Sequence, residues 1–197
     1  MTNLQKIAAD SVGRQQCVSI EKLAEGGFNR VFLLTMDDGF EVVAKIPYRN
    51  TVPPRYLTAS EVATMDFIRR QFEIPVPKVF AWSSETEGNP VGTEYIVMEK
   101  ASGKTLGDIW WSLSAKQLLK VITQLVQYEA KLLQRPLSSY GSIYVNEFLT
   151  ENTDRRLYKD CDDLDHHWCI GPIADPAYWH GGRDELDIKR GPCKRFL

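Results

Sequence analysis

A lysine inside an apolar strand and a glutamate in the helix that follows are the first residues here whose types could do chemistry. Lys45 is flanked by Val42, Val43, Ala44 and Ile46, so its aliphatic stem is expected to be buried. An unpaired buried cation is costly, and Glu61 is the candidate partner. Upstream, Gly26-Gly27 joins two strand-like segments, the composition of a turn whose backbone passes close to something. A cation near backbone N–H groups suits an anion. Plainer readings stand beside these. A strand lysine can be a solvated face, Glu61 can complete the capping box Thr58-Ala59-Ser60-Glu61, and two glycines can serve a bulge.

A second cluster, Cys161, His166, His167 and Cys169, offers soft and borderline metal ligands. Its spacing matches no common zinc module, and Asp160, Asp162, Asp163 and Asp165 around it read as a solvated loop. No metal ligand is assigned. Trp110-Trp111, after Asp108, reads as packing between lobes rather than a stacking platform for bases.

The elements that must position these residues follow from pattern. Leu4, Ile7, Ala8 and Val12 recur at helical spacing and predict a short packed helix, a better reading than a mitochondrial presequence built on Lys6 and Arg14. Residues 17–47 read as three antiparallel strands, with Asp37-Asp38-Gly39 marking a hairpin before the Lys45 strand. A helix is expected from near Thr58, with Val62, Met65, Ile68 and Phe72 as its apolar stripe and Pro75 and Pro77 stopping it. Two strands follow, Lys78 to Trp82 and Thr93 to Met98, and Ala101-Ser102-Gly103 breaks the second. Ser114 and Gln117 form a capping box opening the longest helix, whose buried face is expected at Leu118, Ile122, Leu125, Val126 and Leu133. From Leu137 onward the pattern weakens into turns and acidic patches.

Composition sets the outer bounds. The 197 residues carry 24 Lys+Arg against 26 Asp+Glu, a net charge of −2, with 43 % hydrophobic and 25 % charged residues. Those values exclude collagen, a coiled coil, a wholly disordered chain and a multi-span membrane protein. Without an excess of basic residues, no nucleic-acid partner is expected, and no membrane partner either. Four scattered cysteines, with neither C-x-x-C nor N-x-[ST], read as an intracellular, cytoplasmic protein with reduced thiols, a mitochondrial location staying open.

The order of strand, glycine turn, strand, lysine strand, helix with glutamate, then two strands is that of a protein-kinase small lobe. In its details the chain resembles the aminoglycoside phosphotransferase and choline kinase-like family, in particular its fungal branch. C-V-S-I-E-K-L-A-E-G-G-F-N-R-V-F, S-E-V-A-T-M-D-F-I, I-P-V-P-K-V and Y-I-V-M-E-K-A-S-G carry the resemblance, with I-G-P-I-A-D-P and R-G-P further on. It spans residues 4–192 and is specific as a combination.

The resemblance implies an α+β fold, a kinase-like small lobe of five antiparallel strands plus a helix, followed by an incomplete helical large lobe. It implies a boundary near residue 100, with 1–100 as the lobe and its N-terminal helix, and 101–197 as linker, long helix and insert. Adenine nucleotide is the implied partner. Gly26, Gly27, Phe28 and Asn29 would form the phosphate turn, Lys45 would hold α/β-phosphate oxygens, and Glu61 would fix its rotamer. Met98 would guard the back of the adenine pocket, with the Glu99 carbonyl and the Ala101 N–H bonding the adenine edge and both side chains nearly indifferent.

The same family needs a catalytic Asp, an Asn metal ligand and a second Asp for magnesium. No H-x-D-x-x-x-x-N arrangement occurs, and the D-x-G at residues 37–39 precedes Lys45. No catalytic residue is therefore assigned. ATP binding is expected to be weak or vestigial, with Mg2+ only if a missing half is supplied. The expected function is the nucleotide-binding, truncated part of a small-molecule kinase, not active alone; the alternative is a noncatalytic, pseudokinase-like binding or scaffold module. Part of the long helix's apolar stripe is expected to lie exposed, for a protein partner or self-association.

Overall fold

The computed structural model describes residues 2–51, 53–149, 156–158 and 167–194. Its centre is a five-stranded sheet of β1 (Cys17–Glu25), β2 (Asn29–Met36), β3 (Glu41–Pro47), β4 (Val79–Ser83) and β5 (Tyr95–Glu99). The spatial order is β1-β2-β3-β5-β4, antiparallel throughout. Helix α1 (Thr2–Ser11) precedes the sheet, and α2 (Tyr56–Phe72) connects β3 to β4. Five antiparallel strands with one helix between the third and fourth make a kinase-like small lobe, as the sequence predicts.

Alternation along the strands divides the side chains between two faces. Phe32, Leu34, Val42, Ala44, Ile46 and Val97 point one way and are buried with Leu4 and Ala8 of α1. Lys45 points the other way, toward α2. The β2–β3 hairpin turns at Gly39, whose φ of 83° suits glycine, and the Phe40 N–H donates to Asp38.

Helix α2 departs from the sequence reading at its start. It begins at Tyr56, ahead of Thr58, and the Thr58–Glu61 capping box does not form. Thr58 and Ser60 are instead buried within the helix. The start is set from outside: Arg55 sits at φ 66° without a side-chain cap, and its N–H donates to the buried Glu94 carboxylate at 2.9 Å. Glu61 is thereby free of capping duty.

After β5 come a single turn, α3 (Leu106–Ile109), and the long α4 (Ala115–Leu133). The Ser114–Gln117 capping box is present with both of its hydrogen bonds. None of the α4 side chains is buried, so the expected buried face is not one: Ile122, Leu125, Val126 and Leu133 are all exposed. Trp111 is 92 % exposed and Trp110 is half-buried.

A two-stranded ribbon of β6 (Ser142–Val145) and β7 (Trp168–Gly171), not foreseen in the sequence, packs on α2 away from the sheet. Trp168 and Ile170 join Ala63 and Phe67 in one apolar cluster, and Tyr144 and Cys169 join Ala59 in another. Gly141 and Gly171 let the strands close. A Cβ on Gly141 would lie 2.3 Å from the Gly171 carbonyl oxygen, and one on Gly171 2.7 Å from the Tyr144 ring.

Candidate functional site

Lys45 and Glu61 meet between β3 and α2. Lys45 Nζ donates to both carboxylate oxygens, at 2.6 and 2.7 Å, and the two side chains retain 22 % and 32 % of their exposure. A helix starting at Tyr56 puts Glu61 in its second turn, facing the sheet, which lets the carboxylate reach the lysine. The solvated-face reading of Lys45 is corrected by this pairing, since its ammonium is turned onto a helix.

The strand register places the other candidates around it. Val31 opposes Lys45, Asn29 opposes Pro47, and Val43 opposes Met98. Directly opposed residues share a face, so Val31, Leu33, Val43 and Met98 form an apolar bed beside the lysine, all but Val43 partly exposed. The first three were missed in the sequence. The signal was there: in V-F-L-L both alternating sets are apolar, which a strand with one watery face does not need.

The Gly26-Gly27 turn lies at the end of these strands, beyond Asn29. The Gly26 N–H donates to the Asn29 carbonyl, and the Phe28 carbonyl accepts from the Tyr48 N–H and the Thr51 hydroxyl, each at 2.9 Å. Phe28 itself is 58 % exposed. The turn's root is tied by the Tyr48 hydroxyl donating to Glu25. Lys22 and then Tyr48, hydrogen-bonded to Glu25, hold that carboxyl below its ordinary range, and the same bond pushes the Tyr48 phenol up. Neither glycine is required by the chain's own geometry: both lack a positive φ, and a Cβ on Gly27 would meet nothing within 4 Å.

Glu99 and Ala101 leave the sheet at the exit of β5, and both are exposed. The Glu99 carboxylate accepts the Lys78 N–H at 3.0 Å and lies 3.7 Å from Arg69, tying the end of β5 to the residue before β4 and to α2. A half-open cavity of about 480 Å³ lies among Pro47, Tyr48, Arg49, Pro54, Thr86 and Glu94, and none of the candidate residues lines it.

Among the described residues, no group of three His, Cys, Asp or Glu side chains stands ready for a metal ion. Cys161 and His166 of the Cys/His cluster lie outside the described residues. Of the others, His167 Nε2 lies 3.4 Å from Asp66, and Cys169 is buried in the ribbon. Glu61 is engaged by Lys45 through both carboxylate oxygens and is assigned to no metal.

Comparison with known proteins identifies a family. The model of a family described as phosphotransferase enzyme family matches residues 19–175. A subtelomeric hrmA-associated cluster protein of Aspergillus fumigatus is 42 % identical over 178 residues, covering 90 % of this chain and 33 % of its own. Altered inheritance of mitochondria protein 9, mitochondrial, of Yarrowia lipolytica is 31 % identical over 186 residues, covering 88 % of this chain and 32 % of its own. A crystal structure named as a candidate fructosamine-3-kinase from Thermobifida fusca aligns with 53 % of this chain and 33 % of its own, at TM-score 0.41 and 16 % identity. The chain spans about a third of the length of the curated relatives it matches.

Proposed function

The chain belongs to the phosphotransferase enzyme family, and from that premise we propose that it is the nucleotide-binding part of an ATP-dependent small-molecule kinase. The observation that carries this reading is Lys45, held at 2.6 and 2.7 Å by both Glu61 oxygens, beside a glycine turn that the chain itself leaves open. A cation fixed by a carboxylate presents its remaining hydrogen-bonding capacity in one direction, which suits phosphate oxygens. The apolar bed of Val31, Leu33, Val43 and Met98 supplies a surface for a flat base, and backbone groups at Glu99 and Ala101 supply its edge contacts. Gly26, Gly27, Phe28 and Asn29 close over the phosphates.

We divide the roles of the chain near residue 100, between β5 and α3. Nucleotide contacts fall before that point and acceptor chemistry beyond it. No sequence here supplies the aspartate base or the metal-holding aspartate, so phosphoryl transfer is proposed only for the longer proteins of the family. The exposed apolar face of α4 favours a second reading, a binding module that docks another protein or a second copy. The name of the Yarrowia relative supports a mitochondrial rather than a cytoplasmic setting, which fractionation of a tagged chain decides.

The test of the main reading is a thermal-shift series with ATP and its Lys45→Ala control, beside an assay of magnesium-dependent ATP turnover. A shift at millimolar ATP that Lys45→Ala removes, without turnover, is expected. Turnover abolished by Lys45→Ala would show a complete enzyme, and no shift at all would leave the docking reading.

A further inference from the structure

Tyr56, the first residue of α2, is enclosed by aromatic side chains from the far end of the chain. Its ring stacks on Trp179 at 5.6 Å between centroids and 25° between planes. It meets Tyr144 and Phe148 edge-on at 6.1 and 6.0 Å. Trp179 is itself held by further contacts. The Arg190 guanidinium lies 4.2 Å from the Trp179 ring centroid, the Trp179 indole N–H donates to the Ile173 carbonyl at 2.7 Å, and the Ile173 N–H donates to the Arg190 carbonyl at 2.7 Å.

This stack bears on a helix whose start lacks a cap of its own. Arg55 holds a left-handed φ of 66° with no side-chain cap, and the Glu94 carboxylate accepting its N–H is the sheet's anchor there. A positive φ is strained for a non-glycine residue and persists only where surrounding contacts enforce it. Glu61 follows five residues after Tyr56, about 7.5 Å along the same axis at 1.5 Å per residue. A rigid helix carries a shift at Tyr56 directly to the Glu61 carboxylate.

We infer that Trp179 is a positioning residue for the Lys45–Glu61 pair: the Arg190–Trp179–Tyr56 stack holds the start of α2 where Glu61 reaches Lys45. The step from that pair to nucleotide affinity rests on the reading proposed above; the step from the stack to the helix does not. Aromatic stacks of this kind contribute beyond their buried area and are sensitive to replacement by aliphatic side chains. Phenylalanine at 179 keeps the stack but loses the bond to Ile173, so it is expected to restore much of the function that alanine removes.

The experiment has two arms on the full chain. In the first, amide hydrogen exchange without nucleotide compares Trp179→Ala and Trp179→Phe with the parent. Exchange over residues 57–63 is expected to speed up about tenfold in the alanine variant, with β2 and β3 unchanged and the phenylalanine variant near the parent. In the second, ATP affinity is measured in a double-mutant cycle. Trp179→Ala is expected to weaken ATP about fivefold alone and to have no further effect in Glu61→Gln. Unchanged exchange in α2, or equal acceleration throughout the sheet, overturns the inference, as does a Trp179→Ala effect that persists in Glu61→Gln. If Trp179→Ala does not fold, Tyr56→Leu enters the same two arms, because it removes the other half of the stack. A parent chain that binds no ATP ends the nucleotide reading alone, and the exchange arm still decides whether Trp179 holds the helix.

Discussion

Lys45 and Glu61 form a two-point ion pair across the boundary between β3 and α2, with Nζ at 2.6 and 2.7 Å from the two carboxylate oxygens. The side chains keep 22 % and 32 % of their exposure, so water screens the pair and its contribution to stability is small, about 1 kcal/mol or less. Glu61→Gln is expected to lower the urea midpoint only slightly, and less at 1 M salt than at low salt. A loss of about 3 kcal/mol, the scale of a broken buried pair, would mark the pair as a support of the fold rather than part of a site.

Glycines separate site from scaffold. Gly27 lacks a positive φ and has open space at its Cβ position, so Gly27→Ala is expected to change stability by about 0.5 kcal/mol or less. Its cost should fall on ATP affinity. Gly171→Ala places a Cβ 2.5 Å from a Leu149 methyl and 2.7 Å from the fully buried Tyr144, and should cost about 1–3 kcal/mol. Paired denaturation and ATP titrations check both; equal stability losses would contradict the division.

Burial pushes the Tyr144 phenol well above its ordinary value, and its hydroxyl donates to the Pro172 carbonyl at 2.8 Å. The unfolded chain releases this proton near pH 10, while the folded chain keeps it. The folded state thus holds more protons above pH 10, and stability falls as pH rises, by up to about 1.4 kcal/mol per unit for this one group. Below about pH 10 the contribution is fully present. Tyr95, pushed up by burial as well, adds to the same trend. Denaturation between pH 8 and 11 should show a shallower fall for Tyr144→Phe than for the parent; identical slopes would contradict it.

These residues show what was legible in the sequence. The sheet was, because its turns and alternation are local: Asp38-Gly39 makes the hairpin, and Lys45 sits where the pattern of V-V-A-K-I puts it. Lys45 also pointed to Glu61 through the cost of a lone buried charge. The start of α2 was misread because Thr58 and Glu61 form a good capping pattern, whereas the helix actually starts on a contact from Glu94, far away in sequence. The β6–β7 ribbon was invisible for the same reason. Each of its strands has only four residues, and their pairing of Ile143 with Ile170 depends on two glycines allowing close approach. The apolar repeat of α4 marks a helix but does not say what covers it.

That uncovered face gives a further prediction. Leu125 and Val126 are 56 % and 55 % exposed, so replacing both with lysine should change stability by about 0.5 kcal/mol or less. If α4 is a docking face, the parent chain associates at high concentration and the double variant does not. Sedimentation equilibrium reads this directly, and a parent that stays monomeric removes self-association.

The most direct test of nucleotide binding at Lys45 is an ATP titration followed by amide NMR on the parent and on Lys45→Ala. Saturable shifts are expected at Gly26, Gly27, Phe28, Asn29, Lys45, Glu99 and Ala101, with a dissociation constant of about 1 mM, near −4 kcal/mol. Lys45→Ala should weaken binding without moving the shifts elsewhere. Shifts confined to other parts of the chain, none at saturating ATP, or an affinity unchanged in Lys45→Ala would contradict a nucleotide site built on Lys45 and Glu61.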